Sequence, residues 1–359
     1  MRPTTGKLLT AFILLFSATL APCAAENVSG AGASFPFPIY AKWADAYQRI
    51  GGVRVNYQSI GSGGGIAQIK AGTVTFAGTD APLQEPELDR LGLLQFPTVI
   101  GGVVPVVNLP SVSAEQLVLD GKTLAGIYMG RIKLWSDPAI KALNPGLPLP
   151  NKPISVVHRA DASGTSFVFT TYLARVDTEW RKGVGAATSI DWPTGMGAKG
   201  NEGVAAHITT TFGSIGYVEF AYAKQNHLKY TRMVNKADKA VSPNADTFRA
   251  AASSVDWPAE ASHGFDVVLV DEPGAGSWPM TATSYILVHK RPSDPRETMQ
   301  ALEFFNWAYA FGGEMALGLD YVPLPTAAVA SVRQVWFGSF DASQLPDCKL
   351  SPPSPKCRN

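Results

Sequence analysis

Cysteine is almost absent from this 359-residue chain, which has only Cys23, Cys348 and Cys357. The five histidines (158, 207, 227, 263 and 289) are scattered, and no histidine stands beside a cysteine pair at ligand spacing. That distribution offers no zinc-type site. An excess of one charge is also missing, with 30 Lys and Arg against 29 Asp and Glu. Such a balance excludes the basic patch or high pI that nucleic-acid binding requires. After Leu20 no apolar run is long enough to span a bilayer, which takes about 20 residues. The composition is that of an ordinary globular protein, and the length accommodates two domains.

The first residues read as a secretory signal over 1–25. Arg2 and Lys7 form a basic start, Leu8 to Leu20 is apolar, and Cys23-Ala24-Ala25 is a small-residue cleavage site. Cleavage there leaves 28 bases against 29 acids, a net charge of about −1, and removes Cys23. Cys348 and Cys357 then remain as an even pair that an oxidising compartment would join. Lipid attachment at Cys23 is the rival reading, opposed by Pro22 where a lipoprotein signal has a small residue. The proline-rich stretch 341–359 reads as an extended tail.

Between these ends, strand and helix patterns alternate. Val53–Tyr57, Phe76–Thr79, Thr98–Val107, Ile154–Val157, Ile215–Val218 and Ser284–Lys290 read as strands. Ile66–Ala71, Ser166–Val176 and Arg296–Phe311 read as helices, the last carrying an aromatic stripe (Phe304, Phe305, Trp307, Tyr309) expected in the core. This order predicts an α/β chain with a mainly parallel sheet. The polar, interrupted stretch 229–258 reads as peripheral.

What the chain does have is three clusters of glycine and hydroxyl residues at predicted helix starts: Gly30–Phe35, Gly61–Gly65 and Asp161–Thr165. A helix N-terminus presents unpaired N–H groups and partial positive charge to an anion. Glycine permits close backbone approach, and Ser34, Ser62, Ser163 and Thr165 add hydroxyl donors. Arg159 stands beside the third cluster with a guanidinium that can fork onto two oxygens. Each cluster alone is more readily a cap or tight turn; together with Arg159 they point to one shared oxyanion.

Enzyme motifs fail at specific positions. Phe35 replaces the third glycine of a dinucleotide fingerprint, and no full strand is predicted before Gly30. Gln116 occupies the first glycine of a P-loop ending in Gly121-Lys-Thr123. Asp161 and Ile60 spoil a nucleophile elbow at Ser163 and Ser62.

Asp80 is discordant, because a carboxylate repels an anion unless the ligand brings a proton to donate. Phosphate or arsenate does so near neutral pH, and sulfate does not. A turn-capping role after the strand is the other reading of Asp80.

Several long segments identify a family: Gly30–Trp43, Thr79-Asp-Ala-Pro-Leu83, Phe96–Gly102, Val118–Thr123, Arg159–Phe167 and Ile215–Glu219. From about Asn27 to Phe337 the chain resembles the PstS family of periplasmic phosphate-binding proteins, soluble receptors of phosphate ABC importers. The resemblance implies phosphate contacts at Ser34, Phe35 (through its backbone), Ser62, Asp80, Arg159, Ser163, Gly164 and Thr165. It also implies that Asp80 accepts the phosphate proton and that Asp161 holds Arg159.

It further implies a two-lobed type II binding-protein fold with a hinge, one lobe from 26–104 plus 278–340 and the other from 105–277. Permease subunits are the implied partners of a soluble, monomeric receptor that needs no cofactor and performs no catalysis. Ser34 stands where members often have Thr, and His158 where some have a second Arg. The rival readings are a receptor for another tetrahedral oxyanion, or a secreted phosphatase using His158 as base.

Overall fold

A computed structural model describes residues 27–340. The predicted signal with Cys23, the tail over 341–359 and the Cys348–Cys357 pair lie outside the described residues. The first strands are β1 (Asn27–Gly32), β2 (Arg54–Ser59), β3 (Phe76–Thr79) and β4 (Leu93–Val107). Then follow β5 (Val118–Leu119), β6 (Ser155–Arg159), β7 (Met196–Ala198) and β8 (Ser214–Glu219). The last are β9 (Lys229–Tyr230), β10 (Arg232–Val234), β11 (Ala240–Val241), β12 (Thr281–His289) and β13 (Val322–Pro323).

The principal sheet runs β2-β1-β3-β12-β4-β8-β6-β7, with β13 and β9 also pairing with β4. It is mixed, not mainly parallel. β1 lies parallel to β2 and β3, and β6 parallel to β7 and β8, as helical crossovers between them require. β12 runs antiparallel to both β3 and β4, and β4 antiparallel to β8. Strand direction is set by where distant segments return, and no local pattern records it.

β4 carries the architecture. All 15 of its residues are buried. Its first part, through Gly102, pairs with β12, and from Val103 onward it pairs with β8. Pro97 lies inside it, although proline supplies no N–H to a ladder. The register accommodates this with a bulge: Tyr285 faces Pro97 while Ser284 faces Val99, leaving Thr98 as the extra residue. Thr98 Oγ1 donates to the Ser284 carbonyl at 3.0 Å, so the bulge is pinned beside Ser284.

Elsewhere local chemistry agrees with the pattern. In β2, Val55 and Tyr57 point inward while Arg54, Asn56 and Gln58 are exposed. The helix Pro295–Phe311 starts where Asp294 accepts from the backbone of Arg296 and Glu297, with proline in its first turn. Its Phe305 packs edge-on against Phe76 and Phe96, at centroid distances of 5.3 and 5.7 Å. Phe304 and Phe305 are buried, whereas Trp307 and Tyr309 are only half-buried.

The stretch 229–258 is less peripheral than its polarity predicts. β10 joins β5 and β11 in a small sheet, and Met233, Phe248 and Trp257 are buried. A few large apolar residues suffice to anchor an otherwise polar segment.

Candidate functional site

The three glycine–hydroxyl clusters converge with Asp80 and Arg159 on one buried locus. β1 ends within the first cluster, so a full strand does precede it, and Ser34 lies between that strand and the helix Phe37–Arg49. Ser62 opens the helix Ser62–Lys70, and Ser163 caps the helix Gly164–Val176 by accepting from the Ser166 N–H at 3.2 Å. Ser34, Phe35, Ser62, Asp80, Arg159, Ser163, Gly164 and Thr165 are all buried, and Asp161 is half-buried.

The second and third clusters touch directly. Ser62 Oγ accepts from the Gly164 N–H at 3.1 Å and from the Asp80 N–H at 3.2 Å, while the Gly63 N–H donates to the Ala162 carbonyl at 2.9 Å. This approach needs glycine at position 164. A Cβ there would lie 2.5 Å from Ser62 Oγ and 2.7 Å from Asp80 Oδ2. Gly164→Ala is therefore expected to push the clusters apart and destabilise the fold by about 1–3 kcal/mol, as overpacking does. An unchanged unfolding temperature in that variant would contradict the packing argument.

Arg159, at the end of β6, has a side chain only 1% exposed. Its Nε donates to Asp161 Oδ1 at 2.8 Å and its Nη2 pairs with Asp161 Oδ2. The Gly200 N–H supports the same carboxylate from 3.0 Å. Burial by itself would raise the Asp161 carboxyl, but the hydrogen bonds and charge of Arg159 outweigh it and hold it below the usual range. The guanidinium is thereby fixed, and Nη1 reaches Thr165 Oγ1 at 3.3 Å.

Asp80 follows β3, and the turn role there belongs to Thr79, whose hydroxyl accepts from the Ala81 N–H and donates to the Ala81 carbonyl. Asp80 Oδ1 accepts from the Ser284 hydroxyl at 2.7 Å, but Oδ2 is buried without a hydrogen-bond partner. Burial pushes the carboxyl up to about 7, against the opposing pull of Ser284, Arg159 and Ser62. A buried acceptor left unpaired is costly, so Oδ2 is open to a donor from outside the chain.

Among the described residues, the hydroxyls of Ser34, Ser62, Ser163 and Thr165 all accept hydrogen bonds, and those of Ser34, Ser163 and Thr165 donate to no protein acceptor. The site thus offers hydroxyl protons and a guanidinium together with one carboxylate oxygen. That set suits a tetrahedral oxyanion bearing a proton.

Several contributors escaped the sequence reading. Asn201 Nδ2 donates to Ser34 Oγ at 2.8 Å and to Thr165 Oγ1 at 3.2 Å. Tyr222 and Tyr321 donate to the carbonyls of Ser34 and Phe35, fixing the first cluster from behind. Glu219 is fully buried, accepts from the Ala221 N–H, and lies 2.8 Å from the Tyr321 hydroxyl; burial raises its carboxyl well above the usual range. Gly200-Asn-Glu-Gly203, at the start of the helix Gly200–Thr210, has the same glycine–polar character as the other clusters and could have signalled Asn201.

His158 is engaged elsewhere. Its ring stacks on Trp192 at 4.7 Å and its Nδ1 lies 3.0 Å from the Arg159 carbonyl oxygen. Burial lowers its pKa, despite the opposing backbone hydrogen bond. Among the described residues no group of three His, Cys, Asp or Glu side chains could hold a metal ion. No described helix is long and apolar enough to cross a membrane.

A family model described as a PBP superfamily domain matches residues 17–310. The chain is 51% identical over 323 residues to the phosphate-binding protein PstS of Pasteurella multocida, covering 90% of this chain and 93% of that one. It is 50% identical over 325 residues to the phosphate-binding protein PstS of Haemophilus influenzae, covering 90% and 97% of the two chains. In fold it is similar to a solved high-affinity periplasmic phosphate-binding protein bound with phosphate, with a TM-score of 0.68 and 24% identity. That likeness covers 86% of this chain and 93% of the other.

Proposed function

The chain belongs to the PstS family of phosphate-binding proteins and has the two-lobed fold of the PBP superfamily; from that membership we propose that it is a phosphate receptor serving an ABC importer. It captures inorganic phosphate in the periplasm after export with a cleaved signal, and docks as a monomer on the permease subunits. The protein is a carrier of its ligand, not a catalyst. His158, the base a phosphatase would need, is committed to its stack on Trp192.

The division at Gly102/Val103, where β4 changes partners, supports one lobe from 26–104 plus 278–340 and another from 105–277. Ser34, Phe35, Ser62 and Asp80 then form one jaw, and Arg159, Ser163, Gly164 and Thr165 the other. Phosphate held by both jaws stabilises the closed state, because only closure completes its contacts.

The observation that carries the reading is the buried, unpartnered Oδ2 of Asp80 facing a locus otherwise made of donors. Ionised, it accepts the proton of monohydrogen or dihydrogen phosphate. Sulfate brings no proton, so the two acceptors repel. The test is calorimetric titration of protein stripped of ligand by unfolding and refolding. One phosphate should bind per chain at pH 8, and millimolar sulfate should not compete. Equal competition by sulfate would sink the reading.

A further inference from the structure

We infer that Asn201 is a positioning residue that turns the hydroxyls of Ser34 and Thr165 into obligatory donors to the bound anion. The inference rests on the phosphate-receptor reading and extends it to a residue outside the predicted contact set.

It follows from counting protons. A hydroxyl has one O–H and two lone pairs, so a hydroxyl that already accepts two hydrogen bonds keeps only its proton to offer. Asn201 Nδ2 supplies one N–H to Ser34 Oγ at 2.8 Å and the other to Thr165 Oγ1 at 3.2 Å. Its backbone N–H also reaches Ser34 Oγ, at 3.3 Å. Thr165 Oγ1 takes its second bond from Arg159 Nη1 at 3.3 Å.

The amide cannot face the other way. Its Oδ1 accepts from the Glu219 N–H at 2.9 Å, and a flipped amide would set NH2 against that N–H. Asn201 is fully buried. Ser62 Oγ likewise accepts two hydrogen bonds, from backbone N–H groups. Asn201 does for Ser34 and Thr165 what the backbone does for Ser62.

A purely structural Asn201 would only tie the end of β8 to the helix Gly200–Thr210. A double-mutant cycle separates the two roles. Asn201→Ala should weaken phosphate binding about a hundredfold in the natural background. In a Ser34→Ala/Thr165→Val background the same change should cost less than about threefold, because the hydroxyls it acts through are gone. Equal losses in both backgrounds would overturn the inference.

Asn201→Asp provides a second variant should the alanine protein fail to fold. It preserves shape and the acceptor for Glu219, and its new charge repels the anion alike in both backgrounds. The inference predicts a loss at least tenfold greater in the natural background than in Ser34→Ala/Thr165→Val, because there the carboxylate also draws the hydroxyl protons away from the anion. Equal losses of this variant in the two backgrounds would also overturn it. Absence of phosphate binding by the natural protein would strike the receptor reading itself, whereas additive losses in a phosphate-binding protein strike Asn201 alone.

Discussion

Asp80→Asn is expected to compress the preference for phosphate over sulfate by at least a hundredfold. In the natural protein at pH 8, sulfate would face an ionised, desolvated carboxylate with no proton between them. An unsatisfied buried polar group costs about 1–3 kcal/mol, and more when charged. Like charges about 4 Å apart add repulsion of about 4 kcal/mol at an effective dielectric of 20. Asparagine removes the charge and can turn its NH2 toward a sulfate oxygen. Phosphate, by contrast, exchanges the charged acceptor of its proton for a weaker, neutral amide oxygen. Competitive titration of the two anions checks this, and an unaltered ratio would show that Asp80 does not read the ligand's proton.

The same residue gives the prediction a pH signature. Because burial raises the Asp80 carboxyl to about 7, acidification below that value protonates it and converts a sulfate-repelling acceptor into a donor. Sulfate affinity of the natural protein should therefore rise as pH falls from 8 to 6, while that of Asp80→Asn should stay flat. Stability follows the same sign. The folded pKa lies above the unfolded value of about 3.9, so between these values the folded state binds more protons. From this group the ligand-free protein loses stability as pH rises from 4 to 7, by up to about 4 kcal/mol. Thermal unfolding of both proteins across that range measures the difference.

The second large effect is expected at Arg159. Arg159→Met should abolish measurable phosphate binding, a loss of at least a thousandfold, and destabilise the protein by about 3 kcal/mol. The stability loss arises because Asp161 would keep its charge beside an apolar side chain, and removing one member of a buried pair leaves the other uncompensated. Asp161 is 13% exposed, and Gly200 still donates to it, which keeps the cost at the lower end of such cases. Arg159→Lys should restore most stability but little affinity, because a single ammonium cannot bond both Asp161 oxygens and also reach Thr165. Equal rescue of stability and affinity by lysine would mean that charge alone is needed there.

The parts of the site written in contiguous residues were legible in the sequence. Ser62 and Ser163 sit at helix starts that glycine and hydroxyl composition announces, and the Arg159–Asp161 pair is two residues apart in the chain. Contributors supplied by long-range return were not. Ser284 reaches Asp80 from 204 residues away through a strand whose antiparallel direction no local pattern encodes. Tyr222 and Tyr321 look like core aromatics, and only the fold reveals their hydroxyls on the carbonyls of Ser34 and Phe35. The run Thr98–Val107 was visible, but its extension back to Leu93 was hidden by Pro97, which requires the bulge at Thr98 to remain in a strand.

The pairing of β12 between β3 and β4 also governs when the chain can become native. The first strands, complete by residue 107, have no partner on that side until residues 281–289 exist. Closing a loop of this size before any contact rewards it is a slow step. The anion site is therefore expected to form only once β12 is present, and a chain truncated before β12 should neither resist protease nor hold ligand.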